Sequence, residues 1–104
     1  MPNIHILNSD GSSYNYPLIK AEINIGRGKN NDIILADGTV SRNHAKIIRS
    51  EKDYLIVDLG SYNGTSVNGT PVQNSILKDK DQIKIGYYKL NFFQEDENSS
   101  ALNV

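Results

Sequence analysis

At 104 residues, with 38% hydrophobic and 22% charged residues, the chain has the size and make-up of one domain with a single buried core. A formal net charge of −1 excludes the basic excess on which non-specific nucleic-acid binding depends, and the lack of cysteine excludes disulfides, thiolate nucleophiles and cysteine metal sites. No stretch approaches the ~18 apolar residues of a membrane span, and the start, Met-Pro-Asn-Ile-His-Ile, lacks the form of a signal peptide, so a cytoplasmic location is expected.

Taken in order, the chain opens on a predicted strand from Asn3 to Leu7, with Ile4 and Ile6 on one face and His5 and Leu7 on the other. Asn8 to Ser13 is all turn chemistry; Tyr14 to Ile19 resumes as a strand in which Pro17, lacking an N–H, points to an edge position. Glu22 to Ile25 alternates polar and apolar up to Gly26, and Asp32 to Leu35 reads as a further strand. His44 to Arg49 and Asp53 to Leu59 form two more about the polar turn Ser50-Glu51-Lys52, with Leu55, Val57 and Leu59 expected on one apolar face. Short pieces follow around Ser66-Val67 and Pro71-Val72-Gln73. Gln82 to Ile85 ends at Gly86, and Tyr88 to Phe93 closes the set with Leu90 and Phe92 on one side. No helical periodicity persists over a dozen residues, and many short strands punctuated by glycine and Asx residues predict an all-β sandwich or barrel. The expected division is a domain over residues 1–94 and an acidic, flexible tail over residues 95–104.

Three of the loops carry similar chemistry. Thr39-Val40-Ser41-Arg42-Asn43-His44-Ala45 offers a hydroxyl, a guanidinium and an amide with no carboxylate of its own. Gly26-Arg27-Gly28-Lys29-Asn30-Asn31 brings two cations and two amides, and Gly60-Ser61-Tyr62-Asn63-Gly64-Thr65 adds further amides and hydroxyls. From Gly26 to Ser50 there are five cations against two carboxylates, a local net charge of +3. Such donors suit an anion rich in oxygens, and three such loops imply one shared mouth.

Gly26-Arg27, Ser41-x-x-His44 and Asn63-Gly64-Thr65, in that order, resemble the signature of the forkhead-associated (FHA) domain. The likeness also takes in Asn31 to Leu35, Asp58 to Ser61 and Val67 to Gly69, and so covers residues 3–94. It implies a β-sandwich of about eleven short, mainly antiparallel strands with the binding loops at one end. The implied function is non-catalytic recognition of phosphothreonine on a partner protein in Ser/Thr kinase signalling, the partner being such a kinase or its substrate, with no cofactor, no metal, no nucleic acid and no membrane. The same resemblance makes Arg27 and Ser41 phosphate contacts, Arg42 a second cation beside them, and Asn63 a ligand of the peptide main chain. Thr39 and Lys29, with Asn30 and Tyr62, are candidates for contacts to the peptide flanks. His44 would brace the loops, and Gly26 and Gly64 would permit their turns.

Blander readings stand beside these. Arg27 could be a solvated turn cation, Ser41 a hydroxyl bonding its own backbone, and Asn63 an Asx-turn residue. Ser41, His44 and Asp58 could form a hydrolytic triad, although nothing nearby resembles a nucleophile elbow or an oxyanion hole. The alternative from another class is a phosphate-independent protein-interaction or homo-oligomerisation domain that pairs through a sandwich face.

Overall fold

Isoleucine and valine at alternate positions restrict side-chain rotamers and favour extended backbone. In the computed structural model, which describes residues 2–94, eleven strands result. They are β1 (Asn3–Leu7), β2 (Ser13–Pro17), β3 (Glu22–Gly26), β4 (Ile33–Ile34), β5 (Ala45–Ser50), β6 (Asp53–Asp58), β7 (Thr65–Val67), β8 (Thr70–Val72), β9 (Asn74–Ile76), β10 (Gln82–Ile85) and β11 (Tyr88–Phe93). The expected tail, residues 95–104, lies outside the described residues.

Six strands form one sheet in the order β2-β1-β11-β10-β7-β8, and five form the other in the order β4-β3-β5-β6-β9. Only the β3–β4 pair is parallel; the other pairs run antiparallel, as expected. Ile4, Ile6, Ile83, Ile85, Leu90 and Phe92 of the first sheet face Ile23, Ile25, Ile47 and Ile56 of the second, and none is more than 1% exposed. The Tyr54 and Phe92 rings meet at a tilt with centroids 5.7 Å apart, inside the range of favourable aromatic pairs. β2, with Pro17, is an edge strand as predicted. It ends at Pro17; Leu18 N–H still donates to the Pro2 carbonyl (2.9 Å), but Pro2 has no N–H to return the bond, and beyond it Leu18 is buried and Ile19 exposed.

Three details differ from expectation. Tyr54 and Ile56, rather than Leu55, Val57 and Leu59, supply the core face of β6, and Leu59 is exposed. Apolar residues at both parities leave the alternation undecided; the pairing of Ile56 opposite Ile47 selects the inner face. β9 has no apolar period of its own and exists by pairing with β6. β4 shrinks to Ile33–Ile34, although Leu35 remains fully buried. Asn68 and Gly69, both at positive φ (52° and 85°), make the two-residue turn that joins β7 to β8.

The face of β6 is open to test by truncation. Ile56→Ala should cost roughly 2–5 kcal/mol in urea unfolding, whereas Leu59→Ala should cost less than ~1 kcal/mol. The reverse order would mean that β6 is turned over.

Candidate functional site

The β3–β4, β4–β5 and β6–β7 loops meet at one end of the sandwich, joined chiefly by backbone groups. Arg27 N–H donates to Ser41 O (3.0 Å) and Gly28 N–H to Arg42 O (3.1 Å), so the first two loops run hand in hand. That approach leaves no room for a side chain at Gly26, where a Cβ would lie 2.3 Å from Arg42 O. Asn31, nearly buried, donates from Nδ2 to both Gly28 O and Arg42 O at 2.8 Å, closing the seam from below. Arg27 Nε donates to Val40 O (3.1 Å), which steers the guanidinium toward the second loop while the residue stays exposed.

His44 is fully buried beneath the mouth. Its Nδ1 accepts the Ser41 N–H (3.0 Å), which places the ring proton on Nε2, and that nitrogen donates to Gly64 O (2.8 Å). Its own N–H donates to Ile25 O and its carbonyl accepts from Leu59 N–H, so one residue ties β3 to both later loops. Gly64 presents its carbonyl to the ring from a φ of 83°, a conformation that favours glycine.

Across the mouth, Ser41 Oγ accepts the Tyr62 N–H (2.9 Å) and keeps its own hydroxyl proton available for a ligand. Asn63 donates from Nδ2 to Thr39 O (2.9 Å), leaving its carbonyl oxygen outward on an exposed residue. Asp58 shapes the third loop. Its carboxylate accepts from Gly60 N–H, Ser61 N–H, Ser61 Oγ and Thr65 Oγ1 at 2.5 to 3.1 Å. Burial pushes this carboxyl up, but donation from Ser61 and Thr65 outweighs it and holds the group below the usual carboxylate range.

Ser41, His44 and Asp58 do not form a triad. The serine hydroxyl is bonded to Tyr62, it is the Ser41 backbone that meets the imidazole, and Asp58 stands 4.0 Å from Nε2.

Arg27, Lys29 and Arg42, with Gly28 and Asn30, line one open cleft of about 460 Å³. Thr39, Asn63 and Gly64 stand at the head of a second, of about 490 Å³. The predicted site residues thus gather at one end, with His44 and Gly26 underneath. Asn31, counted from sequence among the donors of the first loop, instead spends its amide on the loop backbone; sequence reasoning missed Asp58 as organiser of the third loop, and Gly86, where a Cβ would lie 2.3 Å from Thr39 Oγ1. Both look like ordinary turn residues in the sequence, and Asp58 entered there only within the family likeness and as a possible triad member.

The FHA domain model matches residues 23–86. The chain belongs to the FHA family. It is 48% identical over 67 residues to the oxoglutarate dehydrogenase inhibitor of Corynebacterium jeikeium, a match covering 64% of this chain and 46% of that protein. It is 39% identical over 89 residues to the glycogen accumulation regulator GarA of Mycobacterium tuberculosis, covering 81% and 55%. The chain therefore spans about half the length of these curated relatives. Among solved structures, a domain described for phosphothreonine-dependent FHA interactions superposes with a TM-score of 0.81 at 35% identity, over 90% of this chain and 98% of that one. Mycobacterium tuberculosis EmbR in complex with a low-affinity phosphopeptide also gives 0.81 at 34% identity, over 89% of this chain and 24% of that one.

In this FHA domain the loop scaffold carries its own pH dependence. The folded Asp58 carboxyl lies below its unfolded value of about 3.9, so the unfolded chain binds more protons in that range. Its stabilisation is present above about pH 4 and is lost as pH falls through the folded value. Asp58→Asn should therefore melt lower than wild type at pH 7, with the gap closing below about pH 4. A pH-independent gap would show that the carboxylate charge is irrelevant. His44→Ala should also lower the melting temperature, by removing a buried group with two partners, whereas Ser41→Ala should leave it nearly unchanged.

Proposed function

We propose that this FHA domain is a non-catalytic reader of phosphothreonine on partner proteins, acting in Ser/Thr kinase signalling in the cytoplasm. The observation that carries the reading is the mouth itself: a Ser41 hydroxyl that accepts from Tyr62 and keeps its proton for a ligand, flanked by Arg27 and Arg42, with no carboxylate among the described residues that line the cationic cleft. A phosphothreonine side chain brings ~1.5 to 2 negative charges and three acceptor oxygens at neutral pH. Ser41 Oγ and the Arg27 guanidinium suit those oxygens, with Arg42 as a second cation. The outward Asn63 carbonyl suits an N–H of the peptide main chain; Thr39 and Lys29 stand where flanking residues would pass. His44, Gly26 and Gly64 position the loops. The partner is a kinase of that class or its substrate. Relatives named an inhibitor and a regulator favour a role exercised through binding. Among the described residues no helix is long and apolar enough to cross a membrane.

Charge-assisted hydrogen bonds contribute roughly 1.5 to 3 kcal/mol each, so Arg27→Ala or Ser41→Ala should weaken a phosphothreonine peptide by about tenfold or more. Calorimetric titration of phosphorylated and unphosphorylated forms of one peptide checks this. Equal binding of the two would sink the reading in favour of phosphate-independent pairing.

Salt separates two of the proposed contacts. Arg42 should act through charge, screened as the Debye length falls from ~10 Å at 0.1 M to ~3 Å at 1 M salt. Arg42→Ala should flatten the dependence of affinity on ionic strength, and Asn63→Ala should lower affinity with the slope retained. The opposite pattern would reassign both residues.

A further inference from the structure

The end of the sandwich opposite the loops carries a cleft of its own. β5 runs six residues from the mouth to the Glu51-Lys52 turn, about 20 Å at ~3.3 Å per residue. The cleft beside that turn is open and measures about 500 Å³, with Pro2, Leu18 and Ile19 as its apolar lining and Arg49, Lys52 and Tyr54 among its polar lining. Ile19 is 68% exposed. Arg49 and Tyr54 are direct cross-strand partners, and both fall on the core-facing parity, in line with Ala45 and Ile47 of β5 and with Ile56 of β6. Tyr54 is only 6% exposed, its ring packed on Phe92. Its hydroxyl has no hydrogen-bond partner among the described residues, yet none of their fully buried side-chain oxygens goes unpaired, so the hydroxyl is the part of the ring that opens into the cleft. Among the same residues neither Arg49 nor Lys52 joins an ion pair, and Glu51, the one carboxylate in the lining, is unpaired too. The turn places Glu51, at a φ of 56°, and Lys52 where a two-residue hairpin favours Asn-Gly. Local turn preference does not account for a lysine there.

From this convergence of donors beside an apolar wall we infer that the cleft is a second peptide site, which takes an acidic side chain next to a large apolar one on a segment of a partner protein. Arg49 presents a planar fork of N–H groups that matches a carboxylate on two bonds, the Tyr54 hydroxyl supplies a third donor, and Lys52 adds charge. Pro2 and Ile19 receive the apolar neighbour, which takes exposed isoleucine surface out of water. Charge complementarity alone would also admit the run Glu95-Asp96-Glu97 of this chain, but Asn98, Ser99 and Ser100 follow it and the next large apolar residue is Leu102. That run has the charge without the neighbour, so the occupant is a partner's segment. The site lies at the far end from Arg27 and Ser41, and the inference does not rest on the phosphothreonine reading. Where both hold, the domain bridges two proteins, one gripped at each end.

The test is an NMR titration of the isotope-labelled chain, to millimolar ligand, with the end-capped peptide Gly-Glu-Leu-Gly and its matches Gly-Gln-Leu-Gly and Gly-Glu-Ser-Gly. Amide shifts should cluster at Ile19, Arg49, Lys52 and Tyr54, and each match should bind about threefold to tenfold more weakly at low salt, the advantage over the glutamine peptide shrinking as salt is raised. Tyr54→Phe keeps the packed ring and removes only the hydroxyl. It should weaken the Glu-Leu peptide with the melting temperature unchanged, and Arg49→Gln should bring the glutamate and glutamine peptides to near equality. A saturating phosphothreonine peptide should leave the shifts at this end in place. Equal binding of the glutamate and glutamine peptides, shifts elsewhere or none, or a glutamate preference that survives both substitutions would overturn the site. So would binding that appears only once Glu95→Gln, Asp96→Asn and Glu97→Gln are combined, because the chain's own run would then be the occupant. Each of these results leaves the phosphothreonine reading standing, since none bears on the mouth.

Discussion

The arrangement depends first on a buried imidazole with a backbone partner on each ring nitrogen. His44 accepts from Ser41 and donates to Gly64, so loops separated by twenty residues are held at one spacing. A neutral ring can do both only in the tautomer with its proton on Nε2, and a wrong tautomer would leave a buried N–H or C=O unsatisfied, at a cost of about 1–3 kcal/mol. The same residue tempts a catalytic interpretation from sequence. Its burial, and the use of the Ser41 backbone rather than the hydroxyl, make it a brace. Loops ordered in advance lower the entropic cost of taking up a ligand, since less freedom remains to be lost on binding.

The second constraint is where the negative charges go. Asp32 pairs with Lys20 and accepts the Asn24 N–H, Asp37 accepts the Thr39 N–H and hydroxyl, and Asp58 takes its four donors inside the third loop. Each carboxyl is held below its ordinary range; at Asp32, as at Asp58, the donors overcome the upward push of burial. Carboxylates near the mouth therefore serve as structural acceptors, and among the described residues Arg27, Lys29 and Arg42 join no ion pair. A chain with a formal charge of −1 can thus present a cationic end without violating its overall balance.

Much was legible in the chain itself. Side-chain alternation is a property of each strand taken alone, so the positions of β1, β3, β5, β6, β10 and β11 could be read from their own residues, and the edge placement of β2 from Pro17. The three donor loops are visible because glycine, Asx residues and cations that outnumber carboxylates cluster there, and the order Arg27, Ser41, His44, Asn63 by itself carries the resemblance to the FHA family. Tertiary structure decided everything that required a partner distant in the sequence. It chose Tyr54 and Ile56 over Leu55, Val57 and Leu59, because β6 is apolar at both parities and only its register with β5 breaks the tie. It created β9 from Asn-Ser-Ile, gave Asn31 and Asp58 their roles, and committed the Asn63 amide to Thr39. Local pattern encodes which way a side chain can face; the neighbour it meets there is set by packing across the sheets and the loop end, and no window of sequence contains both halves of such a contact.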